Sequence, residues 1–477
     1  MKNSFKKSIK LAFLAGGISL LSSCDDRLNI LPQQDLSTEL AFVDKRSAEG
    51  SLIGVYSSIQ DLEVFGAVPQ SIAEYQSDNV EFIGSFPTFQ EIFNYTTLSD
   101  NTSISTIWQD NYKAILAANA VIKNVPGVDD VSFSDQEKNQ FVAEAKFLRA
   151  IVYFNLVNLF SQPVNIGGDT APGVPLVLDP FEGEVTLPAR STVGEVYAQI
   201  RKDLEEAING LPDTFQSGDL TRGRATKGAA KGFLSRLHLY RGEYANAAAM
   251  AEEIIGNANY SLAPNYSFYN GLTSEDIFTV IMTAIDNSRT GTGGWASYFM
   301  PAEDGARGDC PMSADIIAAY QEEAGDRRFT SLSKTGDNGM TYSTKYPDAV
   351  TNTDNAPLLR ITEMYLNAAE ALAEVNGVNV RSLELVNALR NRAGLSSWSA
   401  SDFASGDALV NAILNERRKE LAFEGHRRMD LLRRNMALRP EGSVQSALAQ
   451  PGASKTILPI PQREIDLNSN LTQNNGF

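Results

Sequence analysis

The chain has 477 residues, of which 43% are hydrophobic and 21% charged, and its formal net charge is −17. Residues 1–23 hold four Lys and no acidic residue, so the chain without them carries −21. An acidic surface repels polyanions, which argues against nucleic acid as a ligand. The length suffices for a large core in one to three domains that pack as one body.

The N-terminus reads as an export signal. Its four Lys precede an apolar stretch from Leu11 to Leu21 and a tract of small residues that ends at Cys24. This order is typical of a secretory signal, and an apolar core of about a dozen residues is too short to remain as a membrane span. Leu21-Ser22-Ser23-Cys24 resembles the bacterial lipobox, in which the Cys becomes the acylated first residue. We therefore expect lipidation at Cys24, which leaves Cys310 without a disulfide partner.

A helix is predicted at about 46–60, and an aromatic-rich segment follows at 62–112. Its nine aromatic residues are Phe65, Tyr75, Phe82, Phe86, Phe89, Phe93, Tyr95, Trp108 and Tyr112. Asp78 and Asn79 lie beside Phe82 and Phe86, so ring faces and polar groups combine as a sugar site requires. Core packing is the alternative for Phe82, Phe86 and Phe89, and it is the favoured interpretation of Trp108 and Tyr112.

Long amphipathic helices are predicted next, at about 106–124, from Phe141 to Leu159 and from Val193 to Ile208, because apolar residues recur there on one helical face. Thr192 and Glu195 have the spacing of a capping box at the start of the third. Further helices are expected at about 226–241, 244–256, 380–392 and 408–424, and from Ile361 to Val375.

Two neighbouring helices at 226–256 match the tetratricopeptide pattern in part. Placing Ala247, Ala251 and Ile254 on the second helix puts Leu234, Ser235 and His238 on the matching positions of the first. His238 is therefore a packing residue in this interpretation, and His426 is also assigned to the structure. Two isolated His and no Cys pair give no zinc site, and we predict no cofactor.

A second irregular segment, 262–356, is rich in Gly, Ser, Thr, Asn, Asp and Pro. Long insertions of this kind are usually functional when they are ordered. Trp295 follows two Gly residues, with Tyr298 and Arg307 nearby. We therefore predict ligand contacts at Trp295, Tyr298 and Arg307, with packing as an equal alternative for Trp295.

The chain resembles the SusD/RagB outer-membrane lipoproteins over nearly its whole length. The resemblance rests on the lipobox Cys24 and on ordered motifs at Ala143–Ala150, Gly223–Ala230, Glu363–Leu366, Asn387–Gly394, Asn415–Leu421, Glu424–Arg427 and Leu458–Pro461. Most charged motif residues are interpreted as architectural, with Arg149, Arg390, Arg392, Arg417 and Glu420 pairing across packed helices. Glu416 and Glu420, one helical turn apart, are interpreted as neutralised surface charges.

The resemblance implies a mainly α fold, a tetratricopeptide-like helix-pair scaffold with an irregular loop-rich subdomain that binds ligand. After the signal peptide 1–23 we expect a single body over 24–477, with a scaffold at about 40–60, 106–261 and 357–435 and ligand-binding parts at about 62–105 and 262–356. The implied function is capture of glycan for a SusC-like TonB-dependent transporter by a non-enzymatic lipoprotein anchored to the outer membrane and facing the outside.

Two other functions stay open. A glycoside hydrolase needs only two suitably spaced carboxylates, and the chain has 58 Asp and Glu. An open groove of helix pairs also suits peptide uptake. No phosphate-binding loop, dinucleotide-binding glycine pattern or Gly-x-Ser-x-Gly elbow occurs in the sequence.

Overall fold

Helices form most of the fold in the computed structural model, which describes residues 41–288 and 293–477. The signal peptide and Cys24 lie outside the described residues. In chain order the α-helices are α1 (Lys45–Gln60), α2 (Val68–Tyr75), α3 (Pro87–Phe93), α4 (Thr102–Asn124), α5 (Asp135–Phe160), α6 (Val164–Gly167), α7 (Val193–Gly210), α8 (Gly218–Gly223), α9 (Lys227–Tyr240), α10 (Tyr244–Ile255), α11 (Trp295–Phe299), α12 (Ala314–Gln321), α13 (Arg327–Leu332), α14 (Ile361–Asn376), α15 (Val380–Arg392), α16 (Gly406–Leu421), α17 (Arg427–Arg433) and α18 (Gln462–Leu467).

Strands are few and short: β1 (Asp276–Val280), β2 (Ser333–Thr335), β3 (Thr341–Ser343) and β4 (Ala356–Arg360). β1 pairs with β4 and β2 with β3, both antiparallel. Both pairs lie within or at the edge of the segment 262–356, so they brace the irregular part against the scaffold. The predicted mainly α architecture with loop-rich parts is confirmed.

The long helices begin and end close to where hydrophobic periodicity places them. α7 begins at the predicted capping box, in which Glu195 N donates to Thr192 Oγ1 at 3.2 Å and Thr192 N donates to Glu195 Oε2 at 2.8 Å. α5 packs against both α4 and α7, and from Phe141 onwards most of its side chains are buried. None of the helices in the described part of the chain is both long and apolar enough to cross a membrane.

The predicted helix pair at 226–256 is α9 and α10. Ser235 Oγ on α9 donates to the carbonyl of Ala247 on α10 at 2.9 Å, and Asn367 Nδ2 on α14 donates to Ser235 Oγ at 3.2 Å. A small side chain at position 235 lets three helices approach closely. His238 is buried on the same helix, as expected of a packing position. Its Nδ1 contacts a carboxylate oxygen of Glu243.

Arginine and carboxylate side chains pair across the scaffold as predicted. Arg149 donates to Asp203 through two nitrogens, at 2.8 and 2.7 Å, and similar ion pairs join Arg390 to Glu416, Arg392 to Glu420 and Arg417 to Asp430. The bidentate geometry of the Arg149–Asp203 pair compensates for the loss of water around both charges.

The interpretation of Glu416 and Glu420 as surface charges is wrong. Both are buried, because α16 packs on several sides and not against one neighbour. Glu416 accepts hydrogen bonds from Arg390 and Arg328 at 2.8 and 2.7 Å. Their charges are neutralised inside the protein.

The segment 62–105 is more helical than its sequence suggests. It contains a π-helical turn at Leu62–Gly66 and the short helices α2 and α3, each with Pro in its first turn. Proline suits this position because its missing N–H has no partner there in any case. Helices of seven or eight residues are too short to show a clear period.

Candidate functional site

The two aromatic-rich segments of the sequence meet along a short stretch of paired backbone. Ile83 N donates to the carbonyl of Asp309 at 2.9 Å, and Val80 forms a bridge with Met312. Gly84 permits the approach, because a Cβ there would lie 2.5 Å from the carboxyl carbon of Asp309. This pairing fixes the loop before α3 against the loop after α11.

The pairing produces a platform made of Phe86, Phe89, Tyr298, Arg307 and Asp309. The Arg307 guanidinium lies 4.1 Å from the centroid of the Phe86 ring and 5.1 Å from that of Tyr298. Phe89 stacks on Phe86 with ring centroids 6.0 Å apart. Phe86 is 50% exposed, while Phe89 and Tyr298 are buried beneath it. The platform therefore presents one fixed aromatic ring to solvent.

Charge at the platform is balanced. Arg307 Nε donates to Asp309 Oδ2 at 2.8 Å. Burial lowers the pKa of Arg307, but the hydrogen bond to Asp309 and the nearby Tyr298 outweigh burial, so the pKa is raised and the guanidinium stays charged. The exposed ring therefore has a partly covered hydrogen-bond donor and acceptor beside it, since the side chains of Arg307 and Asp309 are 9% and 16% exposed. This combination suits a sugar, whose C–H face covers a ring while its hydroxyls reach polar groups.

Of the predicted site residues, Phe82, Phe86, Tyr298 and Arg307 come together here. Phe82 is half-buried and packs on Tyr75, with ring centroids 5.2 Å apart, so it supports the platform from below. Asp309 is the residue that sequence reasoning missed. Its signal is weak, an acidic residue two positions after Arg307 in a Gly-rich stretch, and only the pairing with Ile83 brings it to the site.

Asp78 and Asn79 use their polar atoms inside the protein. Asp78 accepts from Arg427 through both carboxylate oxygens at 2.7 Å. Asn79 is fully buried, donates to Glu74 at 2.8 Å and accepts from Arg418 at 2.9 Å. These contacts hold the start of the loop that carries Phe82 and Phe86, at some depth below the exposed ring.

Trp295 is also buried, with 2% of its surface exposed. Its ring packs on Tyr346 with centroids 4.7 Å apart, and its indole N–H has no acceptor in the described part of the chain. Gly294 precedes it with φ +83°, a left-handed conformation that favours glycine. Residues 289–292, just before it, are not described. Trp295 offers no open ring face comparable with that of Phe86.

His426, the second histidine, lies buried at the start of α17, and burial lowers its pKa to about 4. It is therefore neutral near pH 7. Among the described residues no group of three or more His, Cys, Asp or Glu is placed to hold a metal ion.

Comparison with known proteins decides the family. Residues 45–239 match the family model described as "Starch-binding associating with outer membrane", and residues 318–477 match that of the SusD family. SusD-like protein P2 of Formosa agariphila is 28% identical to the chain, over 98% of the chain and 99% of its own length. The chain belongs to the SusD/RagB family.

Two further relatives of this SusD/RagB chain carry a ligand in their names. Starch-binding protein SusD of Bacteroides thetaiotaomicron is 24% identical over 72% of the chain and 74% of its own length. A solved structure of a laminarin-binding SusD-like protein matches with a TM-score of 0.73 and 26% identity, over 91% of this chain and all of that one. A solved structure of a SusD superfamily protein from Bacteroides thetaiotaomicron matches with a TM-score of 0.79 and 26% identity. The match covers 90% of this chain and 99% of that one.

Proposed function

We propose that this SusD/RagB protein captures glycan at the outer membrane for a TonB-dependent transporter and catalyses no reaction itself. The observation that carries the proposal is the half-exposed ring of Phe86, held by Arg307 and flanked by Asp309. The names of the starch-binding and laminarin-binding relatives support the ligand class.

Binding at the platform would use both kinds of contact. The exposed part of the Phe86 ring takes the C–H face of one pyranose, Arg307 donates to a hydroxyl oxygen, and Asp309 accepts from a neighbouring hydroxyl. The Arg307–Asp309 ion pair carries no net charge, so it provides no excess charge to attract an anionic sugar. We therefore expect neutral glycans to bind best.

The proposed membrane attachment of the protein and its delivery of glycan to a transporter rest on the sequence and on the family. Acylation of Cys24 with more than one chain would anchor the protein stably, at about 0.8 kcal/mol per buried methylene. A lipid anchor provides no path across the membrane, so uptake requires a transporter. We expect the native protein to cover the mouth of a barrel and to bury well over roughly 2,000 Å² against it, as lasting complexes do. Ligand would favour the closed position.

Calorimetric titration with laminarin and starch oligosaccharides tests the binding site. Phe86→Ala should weaken binding by about 1 to 3 kcal/mol, roughly 5- to 150-fold, because one stacked face is lost. Phe181→Ala is the matched control, since Phe181 is 60% exposed and lies outside the platform. No binding of any neutral glycan by the wild type, or equal losses in both variants, would overturn the assignment.

A reducing-end assay on the same samples separates capture from hydrolysis. Binding without new reducing ends supports capture, whereas turnover by substoichiometric protein identifies a glycoside hydrolase.

Purification from gently solubilised outer membrane tests the partner. Recovery of the protein without a TonB-dependent barrel, together with unchanged glycan uptake after its deletion, would leave a freestanding surface binder.

A further inference from the structure

A second surface feature lies in another part of the fold and shares no residue with the platform. A groove of about 740 Å³ runs between α4, the extended segment 175–188 and the C-terminal helix α18. One wall of the groove is α4, with Trp108, Tyr112 and Leu116. The opposite wall holds Leu467 at the end of α18 and Leu471 in the loop that follows it. We call this the apolar groove.

The walls of the apolar groove hold a cluster of exposed apolar side chains. Each of these is between 40% and 80% exposed: Leu178, Phe181, Val185, Leu187 and Leu467. Single exposed apolar residues need no explanation, but a cluster around one concave surface marks an interaction site. Aliphatic residues predominate and the indole of Trp108 is almost covered, so the groove suits a polypeptide better than a sugar.

Part of the segment 175–188 has backbone donors that no group of the described chain uses. Its ends are fixed through carbonyl groups: Tyr112 Oη donates to Pro175 at 2.8 Å, and Asn470 Nδ2 donates to Leu187 at 2.7 Å. From Phe181 to Leu187, no backbone N–H donates to another group of the described chain. An extended polypeptide alongside this stretch would supply carbonyl acceptors, as in β-strand addition.

Charge narrows the choice of occupant. The charged residues of the lining are Asp179, Glu184 and Glu464 against a single Lys113, and the whole chain is strongly acidic. Charge complementarity steers association and selects partners. A second copy of this chain would bring the same acidic rim and is disfavoured. The groove therefore fits a segment that carries Lys or Arg beside its apolar residues.

We propose that the apolar groove binds an extended apolar segment, flanked by Lys or Arg, of a partner protein. Apolar side chains of that segment fill the space between Trp108 and Leu467. Its backbone carbonyls accept from the N–H groups near Val185, and its basic residues meet Asp179 and Glu184. The inference does not depend on glycan binding.

Site-specific photocrosslinking in cells that produce the full chain tests this. Leu467→p-benzoylphenylalanine places the probe on the groove wall, and Val131→p-benzoylphenylalanine places it on a fully exposed position outside the groove. We expect irradiation of the Leu467 variant, and not of the Val131 variant, to link the chain to one partner. Mass spectrometry should locate the link in an apolar segment next to Lys or Arg.

A second change establishes that the groove itself binds. Val185→Asp adds a charge at a position 80% exposed, so folding, checked by thermal unfolding, should be unaffected. Val185→Asp should lower the crosslinking yield at least tenfold. It should also weaken, at least tenfold, the binding of a synthetic peptide with the sequence of the crosslinked segment to the purified chain. A link to another copy of this chain, no link at all, or a yield indifferent to Val185→Asp would overturn the proposal.

Discussion

The guanidinium of Arg307 lies over the ring of Phe86, 4.1 Å from its centroid, although the two residues come from segments far apart in the sequence. Each holds the other in place: Phe86 covers one side of the cation, and Arg307 fixes the ring through a contact on one of its faces. A binding surface that is already ordered loses less side-chain entropy when ligand arrives. Substitutions at either residue should therefore affect glycan binding before they affect folding.

Arg307→Lys keeps the positive charge but loses the planar group that stacks on Phe86 and the directed hydrogen bond to Asp309. We expect glycan affinity to fall at least fivefold, about 1 kcal/mol, with little change in the thermal midpoint. Arg381→Lys is the control, because Arg381 makes an exposed ion pair with Glu252. Equal affinity of Arg307→Lys and wild type in calorimetry would remove Arg307 from the site.

Substitution of Trp295 should affect stability, unlike substitution of Arg307, because the Trp295 ring is buried. Trp295→Ala should lower the free energy of unfolding by about 3 to 5 kcal/mol, because a packed ring is removed from the core. Trp295→Phe should keep both stability and glycan affinity, since it retains an aromatic contact with Tyr346 and removes an indole N–H that has no acceptor among the described residues. If Trp295→Phe instead weakens glycan binding at unchanged stability, Trp295 contacts the ligand.

The scaffold could be predicted from the sequence because its helices are long. The helix at Val193–Gly210 shows two turns or more of regular apolar spacing and a capping box, and both signals are local. The short helices α2 and α3 show neither. Burial of Glu416 could not be predicted either, because the arginines that compensate for it come from distant elements, Arg390 on α15 and Arg328 on α13.

The candidate site could be predicted only in part. Aromatic density and nearby polar residues point to the two segments that form the platform, and Phe86 and Arg307 do meet. Closeness in the sequence to aromatic residues was a poor guide to the polar groups of the site. It pointed to Asp78, whose carboxylate pairs with Arg427 instead. It missed Asp309, which reaches the site through the backbone pairing with Ile83. Which polar groups face solvent depends on partners from elsewhere in the chain.

Glu74 predicts a pH dependence of stability. It is fully buried, accepts from the N–H groups of Phe423 and Gly425 and from Asn79, and burial raises its pKa to about 7. A carboxyl whose pKa is raised by folding adds stability below the unfolded value of 4.5, and that contribution is lost as pH rises through 7.

Glu74→Gln cannot ionise, so it isolates this contribution. Between pH 4.5 and pH 8, the free energy of unfolding of the wild type should fall relative to that of the variant by on the order of 3 kcal/mol. Denaturant unfolding of both proteins at several pH values measures the difference. A difference that stays constant with pH, or changes in the opposite direction, would contradict a raised pKa at Glu74.

The lipid anchor can be tested with the two cysteines of the chain, since each serves as the control for the other. Cys24→Ala removes the sulfur that acylation requires, so we expect an exported and folded protein that no longer partitions with the membrane. Cys310→Ala should stay membrane-bound, because the Cys310 thiol is buried inside the body and only donates to Tyr75 Oη at 3.5 Å. Cell fractionation and mass measurement of the N-terminal peptide give the result, in cells without the transporter partner so that the lipid alone is tested. Retention of Cys24→Ala in washed membranes under those conditions would show that something other than a lipid at Cys24 holds the protein there.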